Sequence, residues 1–313
     1  MKPEVLLVAS IYDFSADLVT LRLRDAGVPY LRINKEHLPE HGLSLDPVAP
    51  SLRMELDGGE VASITALRSV WYRQPVFLRN TPSRALSLEQ QLARSQWAAF
   101  LRALSVFDTA SWMNWPQATY LAECKPYQLL AAKRCGFKIP ATLVSNDSAQ
   151  IPHAFPGAMV VKSLDTVLLR EGGDCLFTYT TAATGSDFND SAVSTAPVMV
   201  QEIVEGKTDC RITVVGDQIF AVRVLANGSP VQGDWRVEPR ESLEYESFQL
   251  PGEVEGACLG LLRNLGLSFG GIDLLETSHG YYFLEVNPTG EWGWLCNSDR
   301  PIDEAIASWL SGP

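Results

Sequence analysis

Two apolar strands near the end of the chain carry three polar side chains, and this pattern constrains the fold more than any other. Asp273 interrupts the run Gly270–Leu275, and Glu285 and Asn287 lie on the returning run after a turn at Ser278-His279-Gly280. Side chains alternate along a strand, so Glu285 and Asn287 project to one face, which Asp273 on the antiparallel neighbour can also reach. The sequence therefore predicts a hairpin that presents three oxygen ligands together.

Carboxylate and amide oxygens are the ligands that Mg²⁺ prefers, and such ions bridge nucleotide phosphates during phosphoryl transfer. Solvated surface charges are the alternative interpretation of Asp273 and Glu285. The apolar residues around them disfavour it, because an unpaired buried carboxylate is costly. We therefore predict a metal site formed by Asp273, Glu285 and Asn287.

Two lysines are candidates for contacts with phosphate. Lys162 ends an apolar run, where an ammonium group needs an anionic partner. Lys125 opens a predicted helix, whose free N–H groups already favour anions. For either residue, a lysine whose stem packs against the surface is the alternative.

The stretch from residue 200 to residue 236 contains further candidates. The run 200–206 resembles a strand that leaves the core, where backbone groups can bind an adenine edge and Asp209 can take ribose hydroxyls. Arg211 and Arg223 alternate with apolar residues, a pattern equally typical of surface ion pairs. Asp234-Trp235-Arg236 follows a turn-like segment, and a Trp between opposite charges is unusual for a plain loop.

The rest of the chain predicts mixed α/β and α+β lobes that share a cleft. Val5–Ala9, Ser15–Ala26 and Val28–Ile33 alternate as strand, helix and strand, which indicates a small α/β lobe with a parallel sheet. The later part is rich in strands. Gly172-Gly173 lies in a predicted hairpin that could form part of a lid or a peptide-docking edge, or be an ordinary turn.

Charge and cysteine content exclude several classes of protein. The 313 residues carry a net charge of −12 without a Lys/Arg-rich run, so nucleic acid is not expected as a partner. No apolar run approaches the length of a signal-peptide core or a membrane span. The six cysteines are scattered, which is typical of reduced thiols. We therefore expect a cytoplasmic protein with no membrane partner.

In this order, the candidate residues resemble the ATP-grasp superfamily over residues 115–310. Across nearly the whole chain the resemblance is greatest to the ribosomal-peptide maturases that make microviridins and related graspetides. The ligases that add glutamates to a ribosomal protein are more distantly similar. The motifs that carry the resemblance are Ser69–Pro75, Lys125–Leu129, Ile139–Thr142, Asp234–Arg236 and Glu285–Trp292.

The resemblance implies an ATP-grasp fold of three parts that share the ATP cleft. Residues 1–114 would form an N-terminal α/β domain preceding the ATP-grasp part. Residues 115–200 would form a central subdomain, and residues 201–313 a C-terminal subdomain with the metal site.

The resemblance also implies a role for each candidate residue. Lys125, Lys162 and Arg236 would contact ATP phosphates, Glu202 with the backbone of Ile203 and Val204 would hold adenine, and Asp209 would bind ribose. Asp273, Glu285 and Asn287 would ligate two Mg²⁺ ions. Arg211, Arg223 and Arg236 are the candidate catalytic residues, with Arg211 and Arg223 steadying the acyl phosphate.

The implied activity is an ATP-dependent ligation through an acyl phosphate. In the maturases, a Glu or Asp side chain of a precursor peptide, which has a leader and a core, forms an amide or ester ring. A ligase for small amines and carboxylates is the first alternative. A non-catalytic nucleotide-binding or peptide-binding module is the second. The resemblance is also compatible with a homodimer.

Overall fold

The computed structural model describes residues 2–73, 85–165, 168–171, 174–177, 180–188 and 193–312. Two predicted features lie outside these ranges, namely the last two residues of the Ser69–Pro75 motif and the Gly172-Gly173 turn. In the described part, no helix is both long and apolar enough to cross a membrane.

The elements of the N-terminal lobe are β1 (Val5–Ala9), α1 (Phe14–Asp25), β2 (Tyr30–Asn34), β3 (Leu43–Asp46), β4 (Ser51–Glu55), β5 (Val61–Ile64), β6 (Ser69–Tyr72), α2 (Leu88–Ala103) and β7 (Ser111–Met113). They form a parallel sheet in the order β2-β1-β6-β7 and a separate antiparallel sheet in the order β3-β4-β5. The helix α1 is capped at its start by Asp13, whose side chain accepts a hydrogen bond from the Ala16 N–H. The parallel α/β lobe predicted from the sequence is present.

The elements of the central lobe are α3 (Pro116–Ala122), α4 (Lys125–Arg134), β8 (Thr142–Ser145), α5 (Gln150–Ala154), β9 (Met159–Lys162), β10 (Leu168–Glu171), β11 (Asp174–Phe177), β12 (Thr181–Ala183) and β13 (Val198–Glu202). The lobe is built on an antiparallel sheet in the order β12-β9-β13-β8. The predicted boundary between residues 200 and 201 falls inside β13, and the division into domains stays a prediction.

The elements of the C-terminal lobe are β14 (Thr208–Val215), β15 (Gln218–Ala226), β16 (Ser229–Pro230), β17 (Leu243–Ser247), α6 (Gly252–Asn264), β18 (Phe269–Thr277), β19 (Gly280–Asn287) and α7 (Ile302–Ser311). The lobe is built on an antiparallel sheet in the order β16-β15-β14-β18-β19, with β17 also paired to β15. The closing hairpin predicted from the sequence corresponds to β18 and β19.

The two faces of this sheet pack against different parts of the molecule. Cys210 and Ile212 of β14 belong to an apolar core that includes residues of α4 and α6. Val215, on the alternate face of the same strand, belongs to a second core with β1, α1 and α7. The N-terminal lobe therefore packs directly against the sheet that carries the predicted metal ligands.

Candidate active site

A row of charged side chains crosses three adjacent strands of the C-terminal sheet. Arg211 on β14 is directly opposite Asp273 on β18, which is directly opposite Glu285 on β19. Asn287 lies two residues further along β19, and its amide nitrogen donates a hydrogen bond to Glu285 Oε1 at 3.3 Å. The structure thus brings together the three predicted metal ligands and places Arg211 beside them.

Burial and neighbouring cations shift the pKa values of Asp273 and Glu285 in opposite directions. Burial raises the pKa of Asp273, and the charge of Arg211 opposes that shift without overcoming it. Burial acts in the same sense on Glu285, but Arg236, Lys125 and Lys162 outweigh it and lower the pKa of this carboxyl. Glu285 is therefore the centre of a positively charged environment.

A cavity of about 720 Å³ opens beside this row. Its walls come from the central and C-terminal sheets and from the segment around residues 232–240. Among the predicted site residues, those that line it are Lys125, Lys162, Glu202, Ile203, Val204, Asp209, Arg236, Asp273 and Glu285.

The two predicted phosphate lysines enter the cavity from different elements. Lys125 is the first residue of α4, and its ammonium group donates to the Ser163 carbonyl at 3.0 Å. Lys162 is the last residue of β9, and burial lowers the pKa of its ammonium group against the raising effect of Glu285. Both ammonium groups therefore lie in the region where phosphates would meet the metal ligands.

The predicted nucleoside-binding residues line the same cavity. Glu202 ends β13 and Ile203 follows it, 39% exposed. Asp209 is 9% exposed and is paired with Lys207, whose ammonium group also donates to the Gly233 carbonyl at 2.8 Å. Lys207 was not predicted from the sequence, although it lies only two residues before Asp209, directly ahead of β14.

Arg236 approaches the row from a 3₁₀ turn at Trp235–Val237. Its Nε donates to Asp234 Oδ1 at 3.0 Å, and its Nη1 lies 3.9 Å from Glu285 Oε1. The ring of Trp235 packs against Trp294 with centroids 5.7 Å apart. The Asp234-Trp235-Arg236 motif therefore places one arginine at the cavity and anchors it on an aromatic contact.

The structure does not bring Arg223 to this site, which corrects the role suggested for it. Arg223 is opposite Cys210, one position away from Arg211, so it projects from the other face of the sheet. There its guanidinium donates to both Glu276 oxygens, at 2.6 and 3.0 Å, and lies 4.1 Å from the Phe248 ring centroid.

The donor set fits a hard divalent cation. The described residues contain no cluster of three or more His, Cys, Asp or Glu side chains that could hold a metal alone. Asp273 and Glu285 supply two carboxylates and Asn287 an amide oxygen, so further positions would fall to phosphate oxygens and water, as Mg²⁺ at nucleotides requires. The number of ions stays a prediction.

A model of the RimK-like ATP-grasp domain matches residues 123–308, more than half of the chain. The chain belongs to this ATP-grasp family. The predicted superfamily is thereby confirmed, and so is the predicted fold.

Curated relatives of this ATP-grasp protein include glutamate ligases. A probable alpha-L-glutamate ligase of Legionella pneumophila is 25% identical over 166 residues, which is 51% of this chain and 52% of the relative. The chain thus spans about half the length of the curated relatives it matches.

Solved structures match the ATP-grasp protein over its whole length. Macrocyclase MdnC of Microcystis aeruginosa, bound with precursor peptide MdnA, is 25% identical with a TM-score of 0.82, and 100% of each chain is covered. A RiPP-associated ATP-grasp ligase of Chryseobacterium gregarium, in complex with ADP and a leader and core peptide, has a TM-score of 0.84 at 23% identity, covering 99% and 96%. The ATP-grasp ligase PsnB, complexed with Mg and ADP, has a TM-score of 0.74 at 21% identity, covering 99% and 98%.

Proposed function

We propose that this chain is an ATP-dependent ligase that activates a carboxylate as an acyl phosphate and joins it to an amine or hydroxyl. The observation that carries the proposal is that Asp273 and Glu285 line one cavity with the cations Lys125 and Lys162, while Asn287 donates a hydrogen bond to Glu285. A site of this composition suits the polyphosphate of a nucleotide and an accompanying Mg²⁺.

The proposed reaction has two steps. A carboxylate oxygen attacks the γ-phosphorus of ATP, the bond to the β-phosphate oxygen breaks, and ADP leaves. An amine or hydroxyl then attacks the acyl carbon, inorganic phosphate departs, and the attacking group loses its proton. The joined product has lost one water, which is about 18 Da.

The predicted residues of the site position the phosphates of ATP and the accompanying Mg²⁺. Lys125, Lys162 and Arg236 hold phosphates. Bound Mg²⁺, held by Asp273, Glu285 and Asn287 and expected as two ions, would neutralise charge on the phosphates.

The remaining predicted residues contact the nucleoside of ATP and the acyl phosphate. Glu202 with the Ile203 and Val204 backbone holds adenine, and Asp209 binds ribose. Arg211 stays the candidate for steadying the acyl phosphate. Arg223 cannot contact the acyl phosphate there, because it projects from the opposite face of the sheet.

The proposed substrate is a ribosomally made precursor peptide, with side-chain amide or ester crosslinks as the product. Whole-length similarity to MdnC, bound with its precursor peptide, supports this choice. So does the similarity to the Chryseobacterium ligase, in complex with a leader and core peptide. A second candidate is the joining of an amino acid to a small carboxylate, favoured by the glutamate ligases among the curated relatives.

ADP release and peptide mass test the proposal together. Purified protein is given ATP, Mg²⁺ and a precursor peptide from a neighbouring gene, and Asn287→Ala is compared with Asn264→Ala at the exposed end of α6. We expect peptide-dependent ADP release and a mass loss of about 18 Da per bond, abolished only by Asn287→Ala. Turnover with glutamate and a small acceptor alone would favour the second candidate. Absence of ATP binding would overturn both.

A further inference from the structure

Arg73 of the N-terminal lobe holds the segment that follows the metal ligands. Its side chain is fully buried, with Nε 3.2 Å from Asp13 Oδ2 and Nη2 2.9 Å from Glu291 Oε2. Its Nη1 donates to the carbonyls of Thr289 and Gly290. One guanidinium thus contacts two lobes at once, although 216 positions separate Arg73 from Thr289 in the chain.

The segment held in this way packs on Arg211. A Cβ built at Gly290 would lie 2.6 Å from Arg211 Nη2, so the backbone there touches the guanidinium. Arg211 Nη2 also donates to the Glu291 carbonyl at 3.4 Å, and its Nη1 pairs with Asp273 at 2.8 Å. An unbroken series of contacts therefore leads from Arg73 to a predicted metal ligand.

A serine of α1 holds the same segment from a second side. Ser15 is buried, donates through its hydroxyl to Glu291 Oε2 at 3.1 Å, and accepts from the Gly293 N–H at 3.2 Å. Since Asn287 lies only two residues before Thr289, displacement of this segment would move Asn287 and Arg211 together.

We infer that Arg73 is a positioning residue that acts through the segment 289–291 to hold Arg211, and with it Asp273 and Asn287, in the geometry that binds Mg²⁺ with a nucleotide. The inference rests on the proposed function, since it assigns Arg73 to that same site. Outer partners of metal ligands commonly change metal affinity by about 10-fold to 100-fold when removed.

The contacts of Arg73 require a guanidinium. Its nitrogens reach carboxylates of Asp13 and Glu291 and two carbonyls at once, which a planar fork can do and a single ammonium cannot. Arg73→Lys therefore keeps the buried positive charge but cannot make all of these contacts at once. Arg32 provides a matched control, because it also pairs with a carboxylate, that of Asp17, and donates to a carbonyl within the N-terminal lobe.

The test is a calorimetric titration of ADP at a series of Mg²⁺ concentrations with wild type, Arg73→Lys and Arg32→Lys. We expect Arg73→Lys to need about tenfold more Mg²⁺ for the same ADP affinity, with affinity in EDTA unchanged and Arg32→Lys like wild type. Faster hydrogen exchange of the 289–291 amides should accompany this change. Ser15→Ala, which loosens the same segment while leaving Arg73 in place, should shift the Mg²⁺ requirement in the same direction and serves if Arg73→Lys does not fold.

The outcomes separate the inference from the proposed function. Equal Mg²⁺ requirements in wild type, Arg73→Lys and Ser15→Ala would overturn the inference alone. An equal shift in Arg32→Lys would assign the effect to general loosening of the lobe and also overturn it. A wild type whose ADP binding ignores Mg²⁺ would overturn the proposed function, and the inference with it.

Discussion

Arg211 Nη1 lies 2.8 Å from Asp273 Oδ1 across directly opposed positions of two neighbouring strands. Both side chains are largely buried, at 8% and 14% exposed. Burial raises the pKa of the Asp273 carboxyl, and the Arg211 guanidinium is the main group that opposes the shift. The pair therefore favours the charged form of a carboxylate that burial disfavours.

Removing the cation of this pair should destabilise the protein. Arg211→Met leaves Asp273 buried without its partner, and we expect the free energy of unfolding to fall by about 3 kcal/mol. Adding Asp273→Asn removes the unpaired charge and should recover most of that loss without restoring ADP release. Urea denaturation of the single and double variants measures this. A single variant as stable as wild type would contradict the expected cost.

A methyl group at Gly290 should disturb the same pair without changing any charge. The Cβ of Gly290→Ala would lie 2.6 Å from Arg211 Nη2 and 3.1 Å from Asn287 Cβ. We expect ADP release to fall by at least about tenfold, because small misplacements at reacting groups are costly. Gly233→Ala is the control, since a Cβ there meets nothing within 4 Å although Gly233 lines the same cavity. Equal ADP release by Gly290→Ala and Gly233→Ala would show that the Arg211 side chain can shift away from the added methyl group without loss of activity.

The metal ligands could be predicted from the sequence because they depend on local geometry. Asp273, Glu285 and Asn287 lie on one hairpin, and alternation along its strands is enough to bring them to one face. The face of the sheet from which Arg223 projects could also have been predicted. The turn at Gly216-Asp217 pairs Val215 with Gln218, and counting back from that pair places Arg223 opposite Cys210.

The hold of Arg73 on the segment 289–291 could not be predicted in this way. It joins residues far apart in the chain, and their approach depends on how the N-terminal lobe packs against the C-terminal sheet. The helix Ile302–Ser311, absent from the sequence predictions, takes part in that packing through Ile302 and Ile306. Long-range packing of this kind leaves no periodic signal around Arg73 itself.

Replacing Lys162 should reduce nucleotide binding and leave the fold intact. Burial lowers the pKa of this ammonium group, so Lys162→Met removes a cation that is costly to bury. We expect ADP affinity to fall by about tenfold, as for loss of one charged contact, with a melting temperature close to that of wild type. Lys138→Met is the control, because Lys138 contacts the His279 carbonyl and the Tyr282 ring and does not line the cavity. Calorimetry measures the ADP affinity of each variant, and thermal melting measures its stability. Unchanged ADP affinity in Lys162→Met would show that Lys162 does not contact the phosphates.

The pair of Arg223 and Glu276 should stabilise the fold in a pH-dependent way. Hydrogen bonds from Arg223 lower the pKa of the Glu276 carboxyl against the opposing effect of burial. Because the pKa is lower in the folded state than in the unfolded chain, the stabilisation is present above the ordinary glutamate value. It is lost as the pH falls through the lowered value.

Glu276→Gln should therefore reduce the free energy of unfolding by about 1 kcal/mol at neutral pH, and its difference from wild type should shrink on acidification. Glu246→Gln is the matched control. Glu246 faces the same arginine at 3.7 Å but is 56% exposed, so we expect little effect at any pH. Urea denaturation at about pH 7 and at a series of pH values falling below the ordinary glutamate value measures both. A Glu276→Gln deficit that stays unchanged throughout the acid series would show that the side chain stabilises the sheet through packing and neutral hydrogen bonds.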